Sequence, residues 1–544
     1  MVLNYRIIIS LFSIGFLSAM LYGLTACNDP RPAGAGAAKK DTADHHLTHA
    51  AQDLAGNFST QTVLTFDSTR LTAFFSRYPA LRPFETGMGL FYRNRHFSYA
   101  WYDANGQIEQ AGSLYMRLQN LPAEGITIPL PYLGSLDSMM AAPATRDAVL
   151  RTETELLLSG LYFYYASKVW GGQAVSKTTD LEWFLPRKKL SYESLLDSML
   201  QTKAAFAGAD EPVYRQYNLL KPFLKKYQDI EQAHAWQVIR ADAKSYRTGD
   251  SSGIVALLKK RLWLTGDFTG DTSTAVFDSA FQAAVRGYQH RYGMKEDGVV
   301  GQAMLRQLNT PLQQSIQTIL VNMERSRWLP LQVEGDYFAV NIPEFRLHAY
   351  RNDSLLWNMN VVVGRSVSKT VVFSGQLSQV VFSPYWNIPS SIVRSEVLPG
   401  IRRDKSYLSR HHMEAYSGGY RQTPGPWNSL GQVKFLFPNS YSIYLHDTPS
   451  KGLFTEDRRA FSHGCIRVSK PAELAVYLLR NDTAWTKEKI TAAMNSGTEK
   501  WVTLRDKIPV FITYFTAWVD RQGNLNFRDD IYDRDARLAG MMMQ

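Results

Sequence analysis

Apolar positions recur every three or four residues through most of the first 330 residues and every second residue through much of the remaining chain. The first spacing marks a helix face and the second a strand. Residues 59–250 read as mostly helical, broken at 91–107, where Phe97, Tyr99 and Trp101 alternate and lead into Asn105-Gly106, a hairpin signal. A long apolar helix is predicted over 146–170, and its Tyr162, Tyr164 and Tyr165 read as core rather than as a platform for sugars. A second helical block, 251–312, gives short helices at 254–262 and 280–292, the latter with Phe281, Val285 and Tyr288 on one stripe. It continues through a turn at Asp297-Gly298 and Gly301 to Met304 and Leu308. Residues 316–328 are a further helix.

Beyond Pro330 the period becomes two. Strands are predicted at 337–342, 346–350, 355–363, 370–373 and 378–382, with turns at Asn352-Asp353 and Gly364. The pattern lapses between 386 and 428, a stretch of Pro, Ser and charge that includes Arg402, Arg403, Lys405, Arg410, His411 and His412. So long an insertion in a β domain is functional or disordered. Trp386 at its root walls a cleft or fills a core; the sequence leaves both open. Alternation returns at 441–446, where Ser442, Tyr444 and His446 share one face. Helices come next at 471–480 and 487–494, then a strand-like run at 508–517. The last residues, polar and then Met-rich, suggest no function. The fold class is α+β and multidomain. The parts are a mostly helical domain (59–250), a small helical domain (251–312), a β-rich domain (313–520, insertion 386–428) and a tail (521–544).

The N-terminus reads differently. Arg6 precedes an apolar run at 7–21, the shape of a secretory signal over 1–26. Leu24-Thr25-Ala26-Cys27 resembles a bacterial lipobox, which implies cleavage before Cys27 and a lipid on its thiol; a membrane-spanning anchor is the alternative. Residues 27–58 lack apolar periodicity and read as a tether, so His45, His46 and His49 have no fixed geometry for a metal. Composition adds bounds: 544 residues, 45% of them hydrophobic, exceed one core and suggest several domains. A formal net charge of +11 suits an anionic polymer or membrane, but no long Lys/Arg run singles out nucleic acid.

Chemistry concentrates at 444–468, where two histidines and one of only two cysteines fall within one short window. The second thiol, Cys465, has no disulfide framework to join and reads as a nucleophile. His446 and His463 are its candidate bases, and Gly464 allows a close approach or positive φ directly before it. The N–H groups of Gly464 and Cys465 could face an oxyanion. A histidine, a loop, Ser-His-Gly-Cys, one apolar residue and Arg467 together resemble the signature of L,D-transpeptidases with a YkuD-type catalytic domain. The stretches 422–435 and 322–330 are similar to the large, multidomain YcbB-like branch, and 251–312 resembles a small peptidoglycan-binding domain.

What the resemblance implies is peptidoglycan 3→3 cross-linking through a thioester on Cys465. His446 is then the proton acceptor and donor, because the family's motif places that histidine on the strand before the loop. His463 orders the loop or supports the oxyanion, Tyr444 and the Gly464 and Cys465 N–H groups assist it, and Arg467 holds the loop or a substrate carboxylate. Ser462 and Trp386 are assigned to substrate binding, and the insertion is a cap over the site. The implied partners are stem peptides and glycan strands, with the membrane reached through Cys27; no metal or cofactor is implied. Water or a protein amine as acceptor would make an L,D-carboxypeptidase or a protein-attaching enzyme, and a non-enzymatic wall-binding lipoprotein is a further alternative. Papain-like and NlpC-type peptidases place cysteine before histidine, the reverse of this chain.

Overall fold

Leu312–Trp328 forms the helix around which the two large cores assemble. The computed structural model describes residues 64–142, 147–174, 179–201 and 211–543, all within the unit Gly56–Gln544. The signal, the lipidation at Cys27, and the tether with its three histidines lie outside the described residues. Leu312, Ile316, Ile319 and Met323 of the helix enter the helical domain's core, while Val321 and Trp328 enter that of the β domain. Its charged residues are buried too, which is tolerable only when each is paired. Glu324 accepts from Arg327 at 2.7 Å, from Trp328 Nε1 at 2.8 Å and from the Gln173 N–H at 2.6 Å. Arg325 meets Asp535 at 2.7 Å. The run at 322–330 is thus a buried polar seam between domains.

The helical domain obeys its pattern. Asp147 caps Ala148–Tyr165 by accepting from the N–H groups of Val149 and Leu150, and the helix passes into a wider turn over Ala166–Gly171. Tyr162 and Tyr165 are fully buried, as expected of core residues. The hairpin signal yields a minimal pair, Tyr102–Asp103 against Gly106–Gln107. In the small domain, helices Gly253–Thr265, Ser279–Arg291 and Gln302–Leu308 enclose Leu258, Phe277, Phe281, Val285, Tyr288 and Met304. Among the described residues no helix is long and apolar enough to cross a membrane.

The β domain is one nine-stranded sheet. Its strands are β1 (Asp336–Asn341), β2 (Arg346–Arg351), β3 (Ser354–Gly364), β4 (Ser374–Phe382), β5 (Val433–Leu436), β6 (Leu445–His446), β7 (Ala460–Ser462), β8 (Ile466–Val468) and β9 (Lys500–Thr513). Their order is β7-β3-β8-β6-β5-β4-β9-β1-β2, and β2 also pairs with β3, so the sheet closes on itself. Asn352 and Asp353, both at positive φ, make the tight β2–β3 turn. Three strand expectations differ. Residues 370–373 are not a strand; Val372 alone bridges to Trp183 of the helical domain. The run at 441–446 is strand only at Leu445–His446, because Asn439 Oδ1 accepts from Tyr441 and Ile443 N–H and turns the chain through Ser442 at φ 56°. The final strand starts at Lys500 rather than 508, with a register shift between Thr503 and Ile508.

The insertion is ordered rather than irregular. Trp386–Asn387, Gly419–Gln422 and Met413–Tyr416 form a three-stranded sheet over Ile388, Ile392 and Val397, and Trp386 packs on that small core. Buried Asn428 closes its neck, donating to the carbonyls of Pro384 at 3.0 Å and Thr423 at 2.9 Å. The C-terminal segment is no loose tail. Ala517–Val519 pairs with Leu525–Phe527 inside the helical domain's core, so 520 divides a hairpin, and Ile531, Tyr532 and Leu538 join the β domain's core.

Candidate active site

Parallel pairing of β6 with β8 sets Leu445 beside Ile466 and His446 beside Arg467. Leu445 and Ile466 fill the core, so alternation turns Tyr444, His446, Cys465 and Arg467 to the opposite face. Two segments nineteen residues apart in sequence thereby form one wall. The rings of Tyr444 and His446 stand 5.7 Å apart on it. Cys465 is half-buried, and its Sγ lies 3.4 Å from the carbonyl of Ser442, the residue that breaks the strand.

His446 is buried, and its Nδ1 donates to the Asp447 carbonyl at 2.5 Å, which leaves Nε2 as the acceptor. Asp447 is itself fixed. Its carboxylate accepts from the N–H groups of Gln432 at 2.9 Å and Thr448 at 2.7 Å and pairs with Lys451. Gly431, at φ 61°, is forced by this arrangement, since a Cβ there would collide with the Asp447 side chain. Burial, with nearby Arg467 adding to it, holds the His446 imidazolium down to about 3. Burial pushes the Cys465 thiol up, while the main chain and hydroxyl of Tyr444 and the charge of Arg467 partly offset it. The free site therefore holds a neutral thiol beside a neutral imidazole. A thiolate–imidazolium pair is not its resting form.

The loop side is built differently. Gly464 sits at φ +119°. Its N–H, expected to face an oxyanion, instead donates to Ser462 Oγ at 3.1 Å, and Ser462 Oγ donates to the Cys465 carbonyl at 2.6 Å. Ser462 is buried by these bonds, so it braces the loop where substrate contact was expected. Below the loop, Thr370 Oγ1 donates to the Gly464 carbonyl at 2.8 Å, and Gly364 packs so closely that a Cβ would strike the Ser368 carbonyl. Tyr532, from the C-terminal segment, donates to the Gly364 carbonyl at 2.6 Å and accepts from Thr370 N–H at 3.2 Å.

His463 is exposed and reaches the insertion, its Nε2 lying 3.6 Å from Glu396. Burial and the charges of Arg365 and Arg467 lower it, though Glu396 opposes them. Arg467 is lowered mainly by burial, and its Nε is buried without a hydrogen-bond partner. Trp386 packs within the insertion. Sequence reasoning missed Asp447, Thr370, Gly431 and Tyr532. Asp447 directly succeeds His446 and could have been marked; Tyr532 carries no local signal.

Comparison with known proteins places these features. Residues 335–491 match the family model described as "L,D-transpeptidase catalytic domain" (YkuD). Residues 87–224 match a "Scaffold domain", and 251–308 a "Putative peptidoglycan binding domain". A Haemophilus influenzae protein named "Putative L,D-transpeptidase" is 34% identical over 246 residues, spanning 41% of this chain and 49% of that protein. Solved L,D-transpeptidases from Xylanimonas cellulosilytica (13% identity, 50% of this chain and 100% of that one, TM-score 0.17) and Mycobacterium smegmatis (14%, 33% and 58%, TM-score 0.19) are similar only distantly. The chain thus carries a β-rich L,D-transpeptidase catalytic domain of the YkuD type behind a helical scaffold domain and a peptidoglycan-binding domain.

Proposed function

We propose that the protein is a peptidoglycan L,D-transpeptidase of the large multidomain, YcbB-like branch, which forms 3→3 cross-links through a thioester on Cys465. The observation that carries this reading is the shared face of β6 and β8, where Cys465 stands with Tyr444, His446 and Arg467 in a domain matched to that catalytic family. The thiol proton passes to His446 Nε2 as sulfur attacks the carbonyl of the third stem residue. The C–N bond to the terminal D-Ala then breaks, and its amine leaves with that proton. An amine of a neighbouring stem attacks the thioester, loses a proton to His446 and restores the thiol. With the Gly464 N–H occupied, the oxyanion falls to the Cys465 N–H and the Tyr444 hydroxyl. Arg467, its Nε lacking a protein partner, is offered to a substrate carboxylate.

The lipobox-like Leu24–Cys27 supports export and a lipid anchor; Cys27→Ser should then move the protein from the membrane fraction to the soluble one. For the reaction, the purified protein is incubated with disaccharide tetrapeptide and the products are weighed by mass spectrometry. A cross-linked dimer that vanishes in Cys465→Ala supports transpeptidation. Tripeptide alone would make the enzyme an L,D-carboxypeptidase, and unchanged substrate would leave a wall-binding protein.

A further inference from the structure

A cavity of about 670 Å³ opens where the scaffold, the small helical domain and the β domain meet. Cys465, His446 and Tyr444 do not line it. One wall comes from the small domain (Tyr292, Met294), one from the scaffold (Arg215, Gln216), one from β1–β3 and one from the C-terminal hairpin (Trp518). Its volume lies within the range of small-ligand sites and far above what one inorganic ion fills.

Six arginines line it, and three of them, Arg346, Arg459 and Arg528, cluster together. Two buried arginines elsewhere have carboxylates, Arg291 holding Asp267 through two bonds of 2.6 Å and Arg327 holding Glu324, while buried Arg261 bonds only carbonyls. The clustered three donate only to neutral groups. Arg346 bonds Asn358 Oδ1 at 2.6 Å, Arg459 the carbonyls of Glu456 and Phe345, and Arg528 those of Arg291 and Phe527. Among the described residues no carboxylate lies within ion-pair distance of any of them. Glu344, the acid in their midst, bonds His348 at 2.9 Å and is the one carboxylate whose charge reaches all three. Of the other acids on the walls, Glu296 pairs with His290 and Asp520 with its own turn, while Asp457 and Asp529 lie near Arg459 and Arg528 without bonding them. Two buried nitrogens, Arg459 Nε and His348 Nδ1, have no partner at all. The three guanidinium groups are half-buried and share one nearby carboxylate, Glu344, that none of them bonds, and a ligand carboxylate matches their fork. The aromatic and amide side chains around them suit sugar and peptide groups.

We propose that this junction cavity is a second binding site that takes a carboxylate-bearing fragment of peptidoglycan, separate from the site at Cys465. The substrate class rests on the proposed transpeptidase reading; the need for a carboxylate rests on the arginines alone. The site adjoins the chemistry through the chain. Arg459 immediately precedes β7, its carbonyl accepts from Val363 N–H of β3 at 2.9 Å, and β7 runs into Ser462 and the cysteine loop. A ligand drawing on Arg459 therefore pulls on the strand that carries the nucleophile.

The test is calorimetric titration of the full chain carrying Cys465→Ala with disaccharide tripeptide, and with the same fragment whose carboxylates are amidated. Adding Arg346→Gln should weaken binding of the free-acid fragment about tenfold, the loss of one charge-assisted contact, and amidation should do the same. Melting temperature is measured alongside. Should Arg528→Gln unfold the chain by freeing the Arg291 and Phe527 carbonyls, Arg346→Gln, which frees only Asn358 Oδ1, decides the matter. Equal binding by Arg346→Gln and its parent, equal binding of acid and amide, or no binding by the parent would each overturn the proposal. In the Cys465-intact chain, acylation by a β-lactam reads the catalytic assignment independently. Its absence would strike the transpeptidase reading and leave the carboxylate site standing.

Discussion

The two flanks of Cys465 are built on opposite plans. On the strand flank, Tyr444, His446 and Asp447 are ordered by backbone pairing, and a buried carboxylate fixes the tautomer through the main chain. On the loop flank, conformation is held by hydroxyls, Ser462 within the loop and Thr370 with Tyr532 beneath it, while His463 extends outward to an exposed acid on the insertion. The difference teaches that proximity in sequence is a poor guide to which histidine is buried and fixed in one tautomer. His463 lies two residues from the nucleophile and faces solvent, whereas His446 is distant in sequence and faces inward, dry and neutral. A group meant to accept a proton gains from a fixed lone pair, which only the strand flank supplies.

Removing the base proposed on the strand flank should have the largest effect. His446→Ala is expected to slow acylation of Cys465 by about 10²–10⁴-fold, the usual share of a positioned base, measured as the rate of β-lactam adduct formation by mass spectrometry. A loss as large in His463→Ala would invert the comparison.

Gly464→Ala comes next. A side chain at φ +119° costs on the order of 1–3 kcal/mol, so melting temperature and acylation rate should fall together. Unchanged acylation would mean that the loop flank contributes no geometry.

The pH profile sharpens the contrast between a neutral pair and an ion pair. With His446 held near 3 and the thiol raised, acylation should stay level from pH 7 down to about 4 and climb only in alkali as the thiol ionises. An acid limb near 6.5 would show that His446 is not dry. The same depression bears on stability. The unfolded chain binds a proton at His446 that the folded chain refuses, so this contribution is complete above about 6.5 and is lost as pH falls toward 3. His446→Gln should accordingly flatten that part of the melting-temperature curve.

The smallest expected change is at the outer contact. Exposed ion pairs contribute roughly 0.2–1 kcal/mol, so Glu396→Gln should alter acylation less than about fivefold and should have no effect once His463 is Ala.

Sequence legibility tracked the range of the interactions. Strands β1 to β3 were visible because alternate residues face one core. The run at 370–373 misled because a buried β-branched stretch looks the same whether it pairs along its length or only at Val372. Cys465, His446 and the special Gly464 could be read from a short window, but the destination of the Gly464 N–H depended on a hydroxyl two residues away, which a motif does not specify. The insertion's core rests on three apolar side chains spread through charged sequence, too few to produce a period. The C-terminal segment was unreadable because its polar residues bond groups far upstream, as Tyr532 does with Gly364 and Thr370.

That last contact sets an order of assembly. Synthesis from the N-terminus delivers Cys465 before it delivers Tyr532, so the loop emerges without the phenol that braces its floor. Strand β9, which lies between β4 and β1, also arrives after the cysteine. The nascent chain thus carries the Cys465 sulfur in an unassembled pocket while it is still being made, and the floor of its loop is complete only once the final segment has docked.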